Sequence, residues 1–506
     1  MVSALKRNAS NIRTLVCADN NAILCQITPF CCAVETLVLG KITAEILPIL
    51  RLCKETLVRL ELSPTRQAAP HLEAYTRAAT YTPNIMLQNH DIRNGVGLQS
   101  YNSAGSTGAL SRQHINDILF AILDLSQLEH LVLDHLGLRS TEHLQLFFEF
   151  CQQLTSLELH NTAVLRDAPG TLDLSNLRSL SLVNSSMAMV DQVHLLRHCK
   201  HLDHLSWIQE PHMMPLQALG LMLKNPTTGR AELKSLDISS GPATDTNIAE
   251  ALLGLPCLTT LIARESQFGQ VSLDTIVEPA MEIVGTGLGG GGVSLRDQIQ
   301  VLDLVDCPGV TPEMVNEILC SCRGLKRLSA DRIRILSVLL PDSVWVCNNL
   351  EELRVVIVGP AMLLPPSSSS SSSSSRLTLQ DLQRTAYQKI ATSFTNLRVL
   401  SLGRIGKHAR WSTKSVLDLS LEGGFNQLRT LTELVEFDFC QMPHKLGIDE
   451  FKFMLRFWPK LEVMHGSLHV DADREAFIES YLRNARPGIK LKRDLRYKRR
   501  VTQTDR

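Results

Sequence analysis

At 506 residues the chain exceeds what one ordinary core can hold, so it is either several domains or a repeat array. Lys plus Arg equals Asp plus Glu at 51 each, which excludes a global field drawing the protein to nucleic acid or to an anionic membrane. Hydrophobic residues make up 44% and aromatic ones only 5%, so an aliphatic core is expected. The 13 scattered cysteines form no dense disulfide framework, which fits a cytoplasmic or nuclear setting.

The opening residues, MVSALKRNASNIRTL, read as the end of a linking helix that runs into a first strand at Ile12. The apolar stretch from Ile23 to Leu39 is interrupted by Pro29 and Glu35 and is too short to span a bilayer. Neither a membrane anchor nor an export signal is expected there. The triplets Asn8-Ala9-Ser10 and Asn184-Ser185-Ser186 are therefore read as chance matches to a glycosylation signal.

From Ile12 onward the pattern Leu-x-x-Leu-x-Leu returns along nearly the whole chain. Its clearest copies are Leu128/Leu131/Leu133, Leu154/Leu157/Leu159, Leu177/Leu180/Leu182, Leu233/Leu236/Ile238, Ile299/Leu302/Leu304 and Leu397/Leu400/Leu402. Weaker copies begin at Ile12, Val34, Leu57, Leu202, Leu258, Leu325, Leu350, Leu434 and Leu461. Successive starts from Leu128 to Leu258 lie 26, 23, 25, 31 and 25 residues apart, within or near the span of one strand plus one helix. Glu142 to Phe150 and Asp191 to His198 carry apolar residues at helical spacing between the strands. Neither strand nor helix can bury its apolar face alone, so neighbours must stack. The expected fold is an α/β leucine-rich-repeat solenoid, a horseshoe of about fifteen irregular strand-helix repeats with a parallel concave sheet. At roughly 4.8 Å per strand its inner arc would run about 70 Å, a surface sized for a protein.

The repeat domain is expected to occupy residues 1–485, with flexible insertions at 88–111, 285–294 and 362–376. These are marked by Asn, Gly and Ser, by the Gly285 to Gly292 run, and by Pro365, Pro366 and nine serines from Ser367. Residues 486–506, with Lys490, Lys492, Arg493, Arg496, Lys498, Arg499 and Arg500, read as a basic disordered tail, either solubilising, a nuclear import signal or a weak nucleic-acid contact.

The segment Ile299 to Leu328, IQVLDLVDCPGVTPEMVNEILCSCRGLKRL, resembles the cysteine-containing leucine-rich repeat at Cys307, Val310, Thr311 and Cys322. Cys151 and Cys199 match the second cysteine again. This repeat is typical of F-box/leucine-rich-repeat proteins, the substrate receptors of cullin-based ubiquitin ligases, and the chain from about residue 10 to 485 is similar to fungal F-box-like proteins with degenerate repeats. The resemblance implies a protein ligand on the concave face and, where an F-box lies upstream, a cullin-ligase adaptor as a second partner. Such an F-box would precede the repeats and open with a Leu-Pro pair. Because the first repeat begins at Ile12, no F-box is expected within this sequence.

Gly285, Gly287 and Gly290 match a dinucleotide fingerprint literally, but the stretch before them reads as helical and Gly289 to Gly292 is a homopolymer, so a loop is the better reading. His194 and His198 could share a metal ion across one helical turn. The repeat accounts for Cys199 as a core residue and puts the histidines, His201 and His204 included, at variable positions. Cys320, Cys322 and the pair Cys31-Cys32 read as core fillers. Glu351-Glu352 reads as a solvated face, and no local nucleophile-base-acid set appears. No catalytic residue, cofactor or metal is expected.

The residues on either side of the second motif leucine point to the concave face, because side chains alternate along a strand. The expected contact residues are Val38, Val132, Glu158, Asp237, Asp303, Arg327 and Arg354, with Val16, Glu61, Ser181, Ser206 and Ile262 in the same series. Valines near one end and mixed charges beyond suit a protein ligand; nucleic acid would demand a basic stripe, and no membrane contact is expected. Arg327 and Arg354, on adjacent repeats, are candidates for holding an acidic or phosphorylated segment. The expected function is a protein-protein interaction scaffold, as substrate recognition in an F-box/leucine-rich-repeat ligase receptor or, alternatively, as a stand-alone regulator, for example of a small GTPase.

Overall fold

Each copy of the motif folds as a short parallel strand whose second and third apolar residues point into the core. In the copy at Leu154, Leu157 and Leu159 are buried while Ser156 and Glu158 stay half-exposed. Burying one such leucine contributes roughly 1.5–3 kcal/mol, and the contribution requires neighbours on both sides. The computed structural model describes residues 11–17, 33–39, 46–62, 112–134, 141–160, 173–184, 195–208, 232–241, 243–278, 294–339, 343–358, 378–403, 417–440, 442, 446–469 and 471–493. The expected insertions at 88–111 and 362–376, and 285–294 apart from Ser294, lie outside them.

The chain divides into two compact units, the first formed by residues 1–154 with 161–165 and the second by 155–160 with 166–506. The first holds β1 (Thr14–Cys17), β2 (Thr36–Leu39), β3 (Arg59–Leu62) and β4 (His130–Asp134), with α1 (Ile46–Leu52), α2 (Arg112–Leu123) and α3 (Thr141–Cys151). Its strands pair in parallel, and Leu15, Leu37, Leu60 and Leu131 stand in one row.

The second unit carries β5 (Ser156–His160), β6 (Ser179–Val183), β7 (His204–Ile208), β8 (Ser235–Asp237), α4 (Asp245–Leu253), β9 (Thr260–Ile262), α5 (Gln270–Val277), α6 (Leu295–Gln298), β10 (Val301–Leu304), α7 (Pro312–Ser321), β11 (Arg327–Arg334), α8 (Ile335–Val338), β12 (Glu352–Val358), α9 (Leu379–Ser393), β13 (Val399–Ser401), β14 (Glu436–Asp438), α10 (Ile448–Phe457), β15 (Val463–His465), α11 (Ala472–Ala485) and β16 (Lys490–Lys492). From β5 to β16 each strand of this unit pairs in parallel with the next, as an α/β leucine-rich-repeat solenoid requires.

Backbone hydrogen bonds hold the register beyond the strands. At the strand entries from β6 to β15 two successive amides donate to one carbonyl of the preceding repeat, as Gln300 and Val301 do to Thr259 and Lys326 and Arg327 do to Gln300. At the exit, the residue four beyond the second motif leucine takes a left-handed conformation at Asn184, Ser240, Glu265 and Asp306, with φ of 48°, 55°, 54° and 59°. The first three turn their amides onto the carbonyls of Ile208, Arg264 and Val305 in the next repeat. At Asp306 the acceptor is instead the Asp331 carboxylate, at the place where β11 bulges between Ser329 and Arg332.

The cysteine pattern has a physical basis. Thr311 caps α7 by accepting from Met314, Pro312 follows at the first helical position, and Cys322 ends the helix fully buried. The Cys307 thiol donates to the Ala263 carbonyl at 2.8 Å, and that of Cys347 donates to the Cys322 carbonyl at 2.9 Å. These small side chains fit beside helix and turn backbone where a leucine would not.

Two expectations are corrected. The core is not aliphatic throughout: Phe425, Phe437, Phe453 and Trp458 form a cluster with ring centroids 5.3–6.1 Å apart, and Tyr387 stands 5.9 Å from Phe425. The low aromatic content of the chain conceals this because the rings are concentrated in a few repeats. Nor does the array stop at residue 485, since β16 pairs with β15 in register at Lys490–Lys492. Lys490 and Lys492 fall in the two rows of the open face, in register with Val463 and His465, and so are compatible with a strand.

Candidate functional site on the open sheet face

Opposite the packed leucines the sheet presents two in-register rows of side chains. In the second unit the row preceding the second motif residue runs through Ser156, Ser179, His204, Ser235, Thr260, Val301, Arg327, Glu352, Val399, Glu436, Val463 and Lys490. The row following it is led by Glu158, Ser181, Ser206, Asp237, Ile262, Asp303, Ser329, Arg354, Ser401, Asp438, His465 and Lys492. From β5 to β9 hydroxyl side chains dominate; from β9 to β15 charged side chains engage one another across strands.

The expected site residues fare differently. In the first unit Val38 is half-exposed and in register with Glu61, and Glu61 with Val132. Val132, however, is only 3% exposed: at strand spacing the neighbouring side chains cover it, so it fills space rather than offering a contact. Glu158 lies 3.5 Å from His160 on its own strand. Asp237 accepts from the Ser239 hydroxyl at 2.7 Å and the Ser239 amide at 3.0 Å, tying β8 to its own exit turn. Burial pushes the Asp237 carboxyl up, against the Ser239 hydrogen bonds and the nearby Arg264 charge.

Asp303 receives the Arg264 guanidinium through Nε and Nη2 at 2.7 and 2.5 Å. The structure does not bring Arg327 and Arg354 together as an anion cradle. They stand in different rows, Arg327 in register with Glu352, and Arg354 is already neutralised. Its Nε donates to Glu352 and its Nη2 reaches Glu436 at 3.1 Å, past β13, where the small Ser401 leaves room. Burial works against the Arg354 charge, but the two carboxylates outweigh it and raise its pKa. His465 Nε2 approaches Glu436 to 3.2 Å. Arg327 is exposed with no ion pair among the described residues.

Sequence reasoning missed Arg264, Glu436, Asp438 and His465. The last three sit at flanking positions of the copies at Leu434 and Leu461, so extending the alternation to those weak copies would have found them. Arg264 lies two residues past Ile262 and so returns to the same face.

Little on this face points to covalent chemistry. The Cys307 and Cys322 thiols, pushed up by burial to about 11 and about 12, are protonated at neutral pH. Among the described residues no group of three or more His, Cys, Asp and Glu could hold a metal ion. Of the histidine group, His194 lies outside those residues. Cys199 is buried and donates to the Leu195 carbonyl, whereas His204 is exposed on the open row. No described helix is long and apolar enough to cross a membrane.

No protein-family model matches the chain, and no curated protein matches it. Solved structures of similar architecture include a leucine-rich-repeat protein from Leptospira interrogans, at 15% identity over 97% of this chain and 98% of that one with a TM-score of 0.38. An internalin from Listeria monocytogenes is 15% identical over 74% of this chain and 82% of that one, with a TM-score of 0.38. A chain from the yeast Rad7 and Elc1 complex is 16% identical over 76% of this chain and 88% of that one, with a TM-score of 0.41. At this distance no partner or activity passes from these proteins to this one.

Proposed function

We propose that this protein is an interaction scaffold that holds another protein on the open sheet face. The observation that carries the reading is the pair of in-register rows from β5 to β16, where hydroxyl, apolar and ion-paired positions alternate without a continuous basic stripe. A surface mixed in this way suits a polypeptide better than a phosphate backbone. The finer reading is substrate recognition for a cullin-based ubiquitin ligase. It is supported by the agreement of Cys307, Val310, Thr311 and Cys322 with the repeat typical of F-box/leucine-rich-repeat receptors. An adaptor contact would then come from an F-box preceding the repeats.

The test is quantitative affinity purification of the tagged protein beside two variants, Ile262→Arg with Arg327→Glu on the open face and Gln388→Arg on α9. A partner held on the open face is lost with the first variant and kept with the second. Co-purification of the cullin adaptor supports the ligase reading. Loss of the same partners from both variants, or from neither, overturns the scaffold reading, and partners without the adaptor overturn only the ligase reading.

A further inference from the structure

Among the described residues the sheet of the second unit ends at β16, and nothing described pairs with its outer edge. Lys490 donates its amide to Glu462, and the Lys492 carbonyl accepts from Gly466. In a parallel pair these groups alternate in direction, so the N–H and C=O of Leu491 point away from β15. Leu491 also differs from its counterparts. The second motif residue is buried in every strand from β5 to β15, from Leu157 to Met464, yet Leu491 is only half-buried, because it has a covering neighbour on one side alone. A further strand would satisfy its backbone and cover its side chain.

The charge at this edge selects what that strand can be. Lys490 and Lys492 are exposed, and neither has an ion-pair partner among the described residues, whereas Arg493 is paired with Glu479. A second copy of β16 would bring lysines against lysines, and like charges directly opposite are destabilising. Lysines on an edge strand thus disfavour self-association while leaving the edge open to opposite charge.

We propose that the β16 edge is a strand-addition site for an acidic extended segment of a partner protein, in which an apolar residue lies between two carboxylates. In parallel register the carboxylates stand beside Lys490 and Lys492 and the apolar residue beside Leu491, as Val463, Met464 and His465 do on the other side. The inference concerns a different surface from the open face and does not depend on that reading.

The probe is a short fluorescent peptide alternating glutamate and valine, compared with its lysine-valine counterpart, by anisotropy against the full chain. The acidic peptide is expected to bind and the basic one not. Lys490→Glu with Lys492→Glu should weaken binding at least about tenfold, which corresponds to about 1.4 kcal/mol. Leu491→Pro removes the outward N–H together with the leucine side chain, at a position where an edge strand tolerates proline, and should abolish binding. Absence of binding to the native protein, or undiminished binding to Leu491→Pro, overturns the proposal. Hydrogen exchange at the Leu491 amide of the native protein keeps the test independent of variant folding: the acidic peptide should slow it, and an unchanged rate overturns the proposal.

Discussion

The repeats around β9 to β11 and those around β13 to β15 share one backbone plan and fill it differently. In the first, leucines alternate with small thiols: Leu302, Leu304, Leu325 and Leu328 are buried beside Cys307 and Cys322. In the second, Phe437 and Phe439 replace the leucines of the strand and Trp458 ends α10, its Nε1 donating to the Leu428 carbonyl. The added ring volume is offset by lost side chains. Gly466 stands where the next strand would carry its third apolar residue, at φ 139°, and a Cβ there would come within 2.6 Å of the Phe439 ring. A repeat thus conserves volume across neighbouring strands rather than residue type at each position.

The largest expected effect that would break this comparison is Trp458→Ala. Removing a buried indole costs about 3–5 kcal/mol and strips the Leu428 carbonyl of its donor. Because a repeat array need not unfold as one, the readout is regional hydrogen exchange. β13 to β15 should lose protection while β8 to β10 keep theirs, and equal loss in both would show that the two cores are not energetically separate.

Next comes Gly466→Ala, at about 2–4 kcal/mol from overpacking and an unfavourable φ together. Adding Phe439→Leu should recover part of the loss in denaturant melts, since it returns volume but leaves the backbone strain. No recovery would mean that φ alone demands the glycine.

In the leucine-and-thiol region, Thr311→Ala removes the cap of α7 and should cost about 1 kcal/mol. A neutral result would show that packing, rather than capping, holds that helix.

The smallest effect is Asp237→Asn, which keeps an acceptor for the Ser239 amide. The folded carboxyl is raised above 3.8 by burial, so the folded chain binds that proton more tightly than the unfolded chain does. Its ionised form therefore costs stability at neutral pH, and the cost disappears as pH falls through the raised value. The variant should be slightly more stable at neutral pH and lose that advantage on acidification, as thermal melts across the acid range would show. An advantage that grows towards low pH would contradict the sign.

Much of this was legible in the sequence. All fifteen motif starts, from Ile12 to Leu461, precede strands, because alternation and spacing report directly on which side chains enter the core. The sixteenth strand escaped because its copy has Gly488 and Arg493 where leucines are expected and retains only Leu491, so charge masked it. On the open face the rows were readable and their state was not: Val132 belongs to its row yet is covered, and Arg354 looked available until its carboxylate partners were in view.

The sequence by itself determined the repeat, the strand positions and the inward and outward side chains, since these follow from period and polarity within a few residues. Only the tertiary structure decided which charges remain available. The Arg354 contact to Glu436 spans 82 residues and that of Arg264 to Asp303 spans 39, and such pairs exist only once stacking brings their strands together.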